Sequence, residues 1–179
     1  IDNIDSNFGF SRYAERISSS AHTFDEIYNS IKSENSYIFN QTLDVLERYL
    51  INKQPKIVAF TIPFPGNLFC AFKCAEFIKE NYPKIKVIFG GGYVNTELRS
   101  INDTRIFEFV DYICLDDGEI AIEQIINHII NGTNLKTLKR TFCLIDNKIE
   151  YINNPVLQDY SQKDIGTPDY SDLKLDKYI

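Results

Sequence analysis

Ile57-Val58-Ala59-Phe60-Thr61-Ile62, Val87-Ile88-Phe89 and Tyr112-Ile113-Cys114-Leu115 are three short apolar runs, each followed at once by a loop of unusual composition. The loops read Pro63-Phe64-Pro65-Gly66-Asn67, Gly90-Gly91-Gly92-Tyr93 and Asp116-Asp117-Gly118-Glu119. Runs this short, rich in β-branched residues and without polar alternation, predict strands covered on both faces, as in a parallel sheet with crossover helices. Open α/β sheets bind ligands beyond the carboxyl ends of their strands. The glycines and acidic residues of this chain cluster at those ends, which makes the three loops a candidate rim.

Working outward, Thr23-Phe24-Asp25-Glu26 has the form of a capping box and predicts a helix over 23–33. Leu43, Leu46 and Leu50 form an apolar stripe that predicts a second helix over 37–52, stopped by Gln54-Pro55. Residues 66–81 read as helix, with Lys73, Glu76 and Glu80 in one narrow polar sector and Pro83 after its end. A further helix is predicted over 96–109, interrupted in composition by Asn102-Asp103. Ile122, Ile125, Ile126, Ile129 and Ile130 mark one face of a helix over 118–131, with Gly132 at the C-terminal stop. Two apolar runs around Asp146-Asn147 predict a β-hairpin over 141–152, and the polar tail with Pro155 and Pro168 reads as a linker. The order strand–helix–strand–helix–strand–helix–hairpin predicts a three-layer α/β sandwich with a doubly wound, mostly parallel, Rossmann-like or flavodoxin-like sheet over 1–152, and a linker over 153–179.

Composition narrows the partners. The 179 residues are 44% hydrophobic with a net charge of −6, enough apolar material for one packed domain and no basic excess for nucleic acid. No apolar run approaches the ~20 residues that span a bilayer. Four cysteines in a chain of this length do not make a disulfide framework, so a reducing cytoplasm is the expected setting. The chain starts at Ile1 and contains no methionine, which predicts a fragment of a longer protein.

Each loop has its own chemistry. The Gly90-Gly91-Gly92 triplet lets a flat ligand lie on bare backbone, but lacks the G-x-G-x-x-G of a dinucleotide site and the lysine of a P-loop. Its plain alternative is a tight strand-to-helix turn. The two prolines after Thr61 stiffen an apolar loop with a hydroxyl at its root. Asp116, Asp117 and Glu119 sit at a helix start, where simple capping would explain them.

Taken together, in this order and spacing, the loops resemble the cobalamin-binding domain at the N-terminus of many radical S-adenosylmethionine enzymes. Its P-x-I-V-x-[FL]-[ST] strand is matched by Pro55-Lys56-Ile57-Val58-Ala59-Phe60-Thr61, and its I-K-x-x-x-P helix end by Ile78-Lys79-Glu80-Asn81-Tyr82-Pro83. A strand running into Gly-Gly is matched from Val87 to Gly91. The final D-x-[VI]-x-x-G-E-G-E is matched by Asp111-Tyr112-Ile113-Cys114-Leu115-Asp116-Asp117-Gly118-Glu119, with Asp116 and Asp117 in place of the first Gly-Glu. Pro168-Asp169-Tyr170-Ser171-Asp172-Leu173 looks like the segment that leads into the radical barrel. The resemblance implies a cobalamin platform lined by Thr61, Ile62, Pro63, Asn67, Leu68, Gly90, Gly91, Gly92, Tyr93, Gly118 and Glu119. It also implies a parent enzyme, a methyltransferase or a ring-forming enzyme, whose barrel holds a 4Fe-4S cluster and S-adenosylmethionine outside this fragment, which alone would not be catalytic. Three departures matter, the first of them an argument against histidine ligation more than against cobalamin. The D-x-H-x-x-G that supplies a histidine ligand is absent, and so is the C-x3-C-x2-C cluster loop. The family's first strand is missing as well, since Ile4-Asp5-Ser6-Asn7 looks like its second.

Cys70 and Cys74 match two positions of that cluster spacing, but Phe77 takes the third and all three fall on an amphipathic helix, so they read as packing residues. Cys114 and Cys143 read the same way. His22 and His128 have no carboxylate spaced to orient them, which leaves no zinc site and no acid–base pair in the reading. Two other readings compete: the same fold as a cofactor-free docking module, and a receiver-like phosphate binder. The second ranks last because Thr61 stands where a receiver needs aspartate.

Overall fold

The computed structural model describes residues 8–10, 15–17, 23–33, 36–171, 173–174 and 177. Two short strands, β1 (Phe8–Phe10) and β2 (Glu15–Ile17), pair antiparallel in a small sheet of their own. The Ile4–Asn7 segment and His22 lie outside the described residues.

Helices α1 (Phe24–Ser33) and α2 (Tyr37–Lys53) follow. At the start of α1 the Glu26 amide donates to Thr23 Oγ1 at 3.4 Å, the threonine contact of the anticipated capping box. Ser36 caps α2 through the Phe39 amide, and Gln54 closes it in the left-handed conformation (φ 45°), which turns the chain into β3 (Ile57–Thr61). Then come α3 (Pro65–Asn81), β4 (Lys86–Gly90), the short α4 (Gly92–Glu97) and β5 (Tyr112–Cys114). Helix α5 (Gly118–Asn131) ends on Gly132 at φ 68°, the predicted stop. β6 (Thr141–Ile145), β7 (Lys148–Ile152) and a single turn, α6 (Gln162–Ile165), are the last of the described elements.

The second sheet is open and mixed, in the order β3-β4-β5-β6-β7. β3, β4 and β5 run parallel, and β6 and β7 add antiparallel, joined at Asp146-Asn147, both at positive φ. This α/β arrangement is consistent with a Rossmann-like fold. Neighbouring residues of one strand feed different apolar clusters: Val87 and Phe89 join α1, α2 and α3, whereas Ile88 joins α5. In the first cluster Phe72 is 1% exposed, its ring 5.2 Å from Phe89 and 5.3 Å from Phe109. In the second, Ala121 and Ile125 pack on Ile88, Tyr112, Cys114 and Cys143.

Two expectations need correction. β4 and β5 are buried on both faces, but β3 is an edge strand with Ala59 and Thr61 exposed, because β4 is its one partner among the described strands. The helix anticipated over 96–109 is not continuous. α4 stops at Glu97, and a separate 3-10 turn (Thr104–Glu108) starts where Asp103 Oδ1 accepts from the Arg105 amide at 3.0 Å. A short polar side chain that captures the amide two residues on competes with the helix, and Asn102-Asp103 supplies one.

The charged sector of α3 is not simply solvated. Lys73 Nζ donates to the Ile31 carbonyl at 2.6 Å and to Glu76 at 2.9 Å, and Glu76 also pairs with Lys32, so α1 is stapled to α3. At the amino end of the sheet Asp111 accepts from Lys79 at 2.5 Å, Lys86 at 3.0 Å and the Val87 amide at 2.8 Å. Among the described residues no helix is long and apolar enough to cross a membrane.

Candidate functional site

The parallel register decides which loops meet. Thr61 lies opposite Gly90, and Phe89 opposite Ile113, so the three strands end side by side and their following loops share one rim.

At the first loop Thr61 is exposed, and Pro63, Phe64 and Pro65 remain at the surface, with Phe64 47% exposed. Pro65 enters α3 at its first turn, where a missing N–H costs nothing. Ile62 and Leu68 are different. Both are buried in the first cluster, so Ile62 offers the rim only its backbone and Leu68 offers it no side chain. Asn67 is half-buried, its amide bonded to the Phe64 carbonyl at 3.1 Å.

The second loop wraps the first. The Ile62 amide donates to the Gly90 carbonyl at 2.7 Å, and the Ile62 carbonyl accepts from the Tyr93 amide at 3.0 Å. Gly91, at φ 104°, lies where a Cβ would come within 2.7 Å of the Ile62 nitrogen. The space that a side chain at Gly91 would take is therefore occupied by the neighbouring loop. Gly92 is exposed, with the Pro63 carbonyl 3.5 Å from where its Cβ would be. Tyr93 is half-buried against the first cluster, and burial followed by the nearby Glu97 pushes its phenol above the ordinary range.

The third loop is pinned from both sides. Asp116 adopts φ 58°; its amide donates to Asn95 Oδ1 at 2.6 Å and its carboxylate pairs with Arg99. From the other side Arg140 donates to the Asp117 carbonyl at 2.7 Å and to the Leu115 carbonyl at 3.4 Å. The Asp117 carboxylate makes no capping bond to α5, so capping does not account for it. Gly118 stands clear, with no heavy atom beyond its chain neighbours and the backbone of its own helix within 4 Å of where a Cβ would be, and Glu119 is exposed in the first turn of α5.

The rim thus presents Thr61, the Pro63–Phe64 ledge, Gly92, Gly118 and Glu119 at the surface, over a base formed by the Ile62 and Gly91 backbone. Asn95, Arg99 and Arg140, which hold it together, carry no sequence signal. Each is an ordinary polar residue brought to the rim by the placement of a neighbouring segment.

Cys74, Cys114 and Cys143 are buried and Cys70 is half-buried, and none of the four is in a disulfide. Burial pushes the Cys114 thiol up to about 12, and Cys143 is raised for the same reason, which leaves both poor nucleophiles. His128, in the last turn of α5, has Nδ1 against the Thr133 carbonyl, at the far end of the helix from the rim. Among the described residues no group of three His, Cys, Asp or Glu side chains could hold a metal ion. No protein-family profile matches the chain, and no curated protein matches it.

Proposed function

We propose that this chain is a cobalamin-binding-type domain, a doubly wound three-layer α/β sandwich closed by a C-terminal β-hairpin, of the kind that precedes the barrel of radical S-adenosylmethionine enzymes. The observation that carries the reading is the meeting of the Thr61, Gly90–Tyr93 and Gly118–Glu119 loops at adjacent strand ends. Position 116 adds support. Its φ of 58° belongs to the left-handed region that favours glycine, and glycine is what the resembling motif carries there.

The exposed residues fit a flat, face-bound group. The space above Gly118 is open, Gly92 offers backbone without a side chain, Thr61 offers a hydroxyl, and Pro63 with Phe64 offers an apolar ledge. A bound corrin would bring an organometallic centre for methyl transfer or related chemistry in the partner barrel. The chain's own part is to hold and orient it. His128, the one histidine among the described residues, stands in the last turn of α5, at the opposite end of that helix from the rim, and would supply no imidazole to a corrin bound there. The cluster, the S-adenosylmethionine and the reaction would belong to the barrel.

A second reading is favoured by Gly91, whose space is already filled by Ile62. On that reading the rim is a self-closed docking face that uses no cofactor. Gel filtration after incubation with hydroxocobalamin separates the two. Corrin absorbance eluting with the protein, and lost in Gly118→Val, supports the platform. A colourless protein peak overturns it for this chain and leaves the docking module.

A further inference from the structure

Lys139 is 7% exposed, and the polar groups that meet its ammonium come from a distant part of the chain. Its Nζ donates to the Leu157 carbonyl and stands 3.8 Å from Asp159. A buried ammonium without partners costs several kcal/mol, so the position of residues 157–159 is not incidental. The neighbouring Arg140, only 12% exposed, grips Asp159 with both arms of its guanidinium, at 2.6 and 2.9 Å. The same guanidinium holds the Leu115 and Asp117 carbonyls of the third rim loop. Further contacts mark the path on either side: the Asn154 amide donates to the Leu138 carbonyl at 2.9 Å, and the Tyr160 hydroxyl bonds Glu123 on α5.

The segment expected to be a linker is thus laid along residues 138–140 and returned from the sheet edge at β7 to the carboxyl end of β5. We propose that residues 153–161 are a strap that holds the third rim loop in place through Arg140, so that the strap and the rim loop are ordered together. Arg140 is the shared element: with Asp159 in its fork, its remaining donors are fixed on Leu115 and Asp117. Without Asp159 the fork turns to solvent, and the carbonyls lose their fixed donor. Coupling of this kind is reciprocal, so a ligand that orders the rim loop also orders the strap. The inference rests on the position of the rim and not on which ligand the rim takes.

Hydrogen exchange on the whole chain, with no ligand added, tests it. The Asn154 amide reports the strap, and the Leu115 and Asp116 amides report the rim loop, since each has a defined acceptor. Asp159→Asn leaves a neutral side chain of the same shape at an exposed position. It should raise exchange at all three amides by about threefold to tenfold, the effect of losing a partly exposed ion pair. Arg140→Lys keeps a charge for Asp159 but loses the fork, and should loosen Leu115 and Asp116 by a similar factor. Faster exchange at Asn154 alone would make the strap a passive tail and overturn the proposal. Unchanged exchange at all three amides would overturn it too. A failure of cobalamin binding leaves both outcomes readable.

Discussion

The Cβ that Gly91 lacks would stand 2.7 Å from the backbone nitrogen of Ile62 and 2.9 Å from its carbonyl oxygen. Those atoms are already committed, the nitrogen to Gly90 and the oxygen to Tyr93, so the neighbour cannot yield without breaking two hydrogen bonds. At φ 104° an L side chain is strained in any case. Gly91→Ala should therefore cost about 2–4 kcal/mol, the sum of backbone strain and overpacking. Gly118→Ala is the control, with open space and a place in the first turn of α5. It should be neutral or stabilise by about 0.4–1 kcal/mol. Urea unfolding of the pair checks this, and equal effects would mean that the Ile62 contact is not what Gly91 provides.

Asp111 gathers two lysines and an amide where β4 and β5 begin. Burial alone would raise its pKa, but the Lys79, Val87 and Lys86 hydrogen bonds outweigh that and hold it below the ordinary carboxylate range. A carboxyl whose folded pKa is depressed adds stability above its unfolded pKa of about 3.9, and loses it as pH falls through the folded value. Asp111→Asn should cost on the order of 2–3 kcal/mol at pH 7. The gap from the unaltered protein should shrink below about pH 4. Thermal unfolding over pH 3 to 7 reads both curves, and a gap constant with pH would remove Asp111 from the acid response.

Phe72 shows how far the sequence alone reaches into the core. It lies on α3 among Phe69, Ala75 and Ile78, a spacing that marks a buried face without naming its partners. The fold places its ring against Phe24, Phe89 and Phe109, from three separate segments of the chain. Phe72→Ala should destabilise by about 3–5 kcal/mol, near the whole margin of a domain this size. Phe72→Leu should recover roughly half of that, and guanidinium unfolding reports both. A Leu variant as unstable as Ala would mean that ring contacts, rather than filled volume, set the cost.

The same division runs through the rim. Strand ends and glycine loops were legible because period, length and turn chemistry are local properties of the chain. What escaped is long-range. Nothing near Arg140 announces that its fork joins Leu115, Asp117 and Asp159, separated from it by 25, 23 and 19 residues. Gly91 and Gly92 read alike in sequence, yet one is filled by Ile62 and the other is exposed, a difference set by how β3 ends against β4. The interruption at Asn102-Asp103 was visible as composition, but its consequence required knowing that Asp103 captures the Arg105 amide. The exposure of Ala59 and Thr61 follows from the place of β3 in the strand order, which no property of Ile57–Thr61 encodes.

Asp116 offers a test that sets backbone against side chain. Its left-handed φ of 58° costs a residue with a Cβ about 1–2 kcal/mol, less for aspartate than for most. Against that stand the Asn95 contact to its amide and the ion pair with Arg99. The two charged side chains are 38% and 50% exposed, so the pair contributes under about 1 kcal/mol. Asp116→Gly gives up the pair and loosens the unfolded chain, but relieves the backbone, and should stay within about 1 kcal/mol of the unaltered protein. Asp116→Ala gives up the pair and keeps the strain, and should be the less stable variant by about 1 kcal/mol. Glycine is ordinarily the weaker of the two residues, so the reversed order is diagnostic. Denaturant midpoints for the two variants decide it. If alanine proves the more stable, the conformation at position 116 is not what selects its residue, and the support that position lends to the cobalamin reading falls with it.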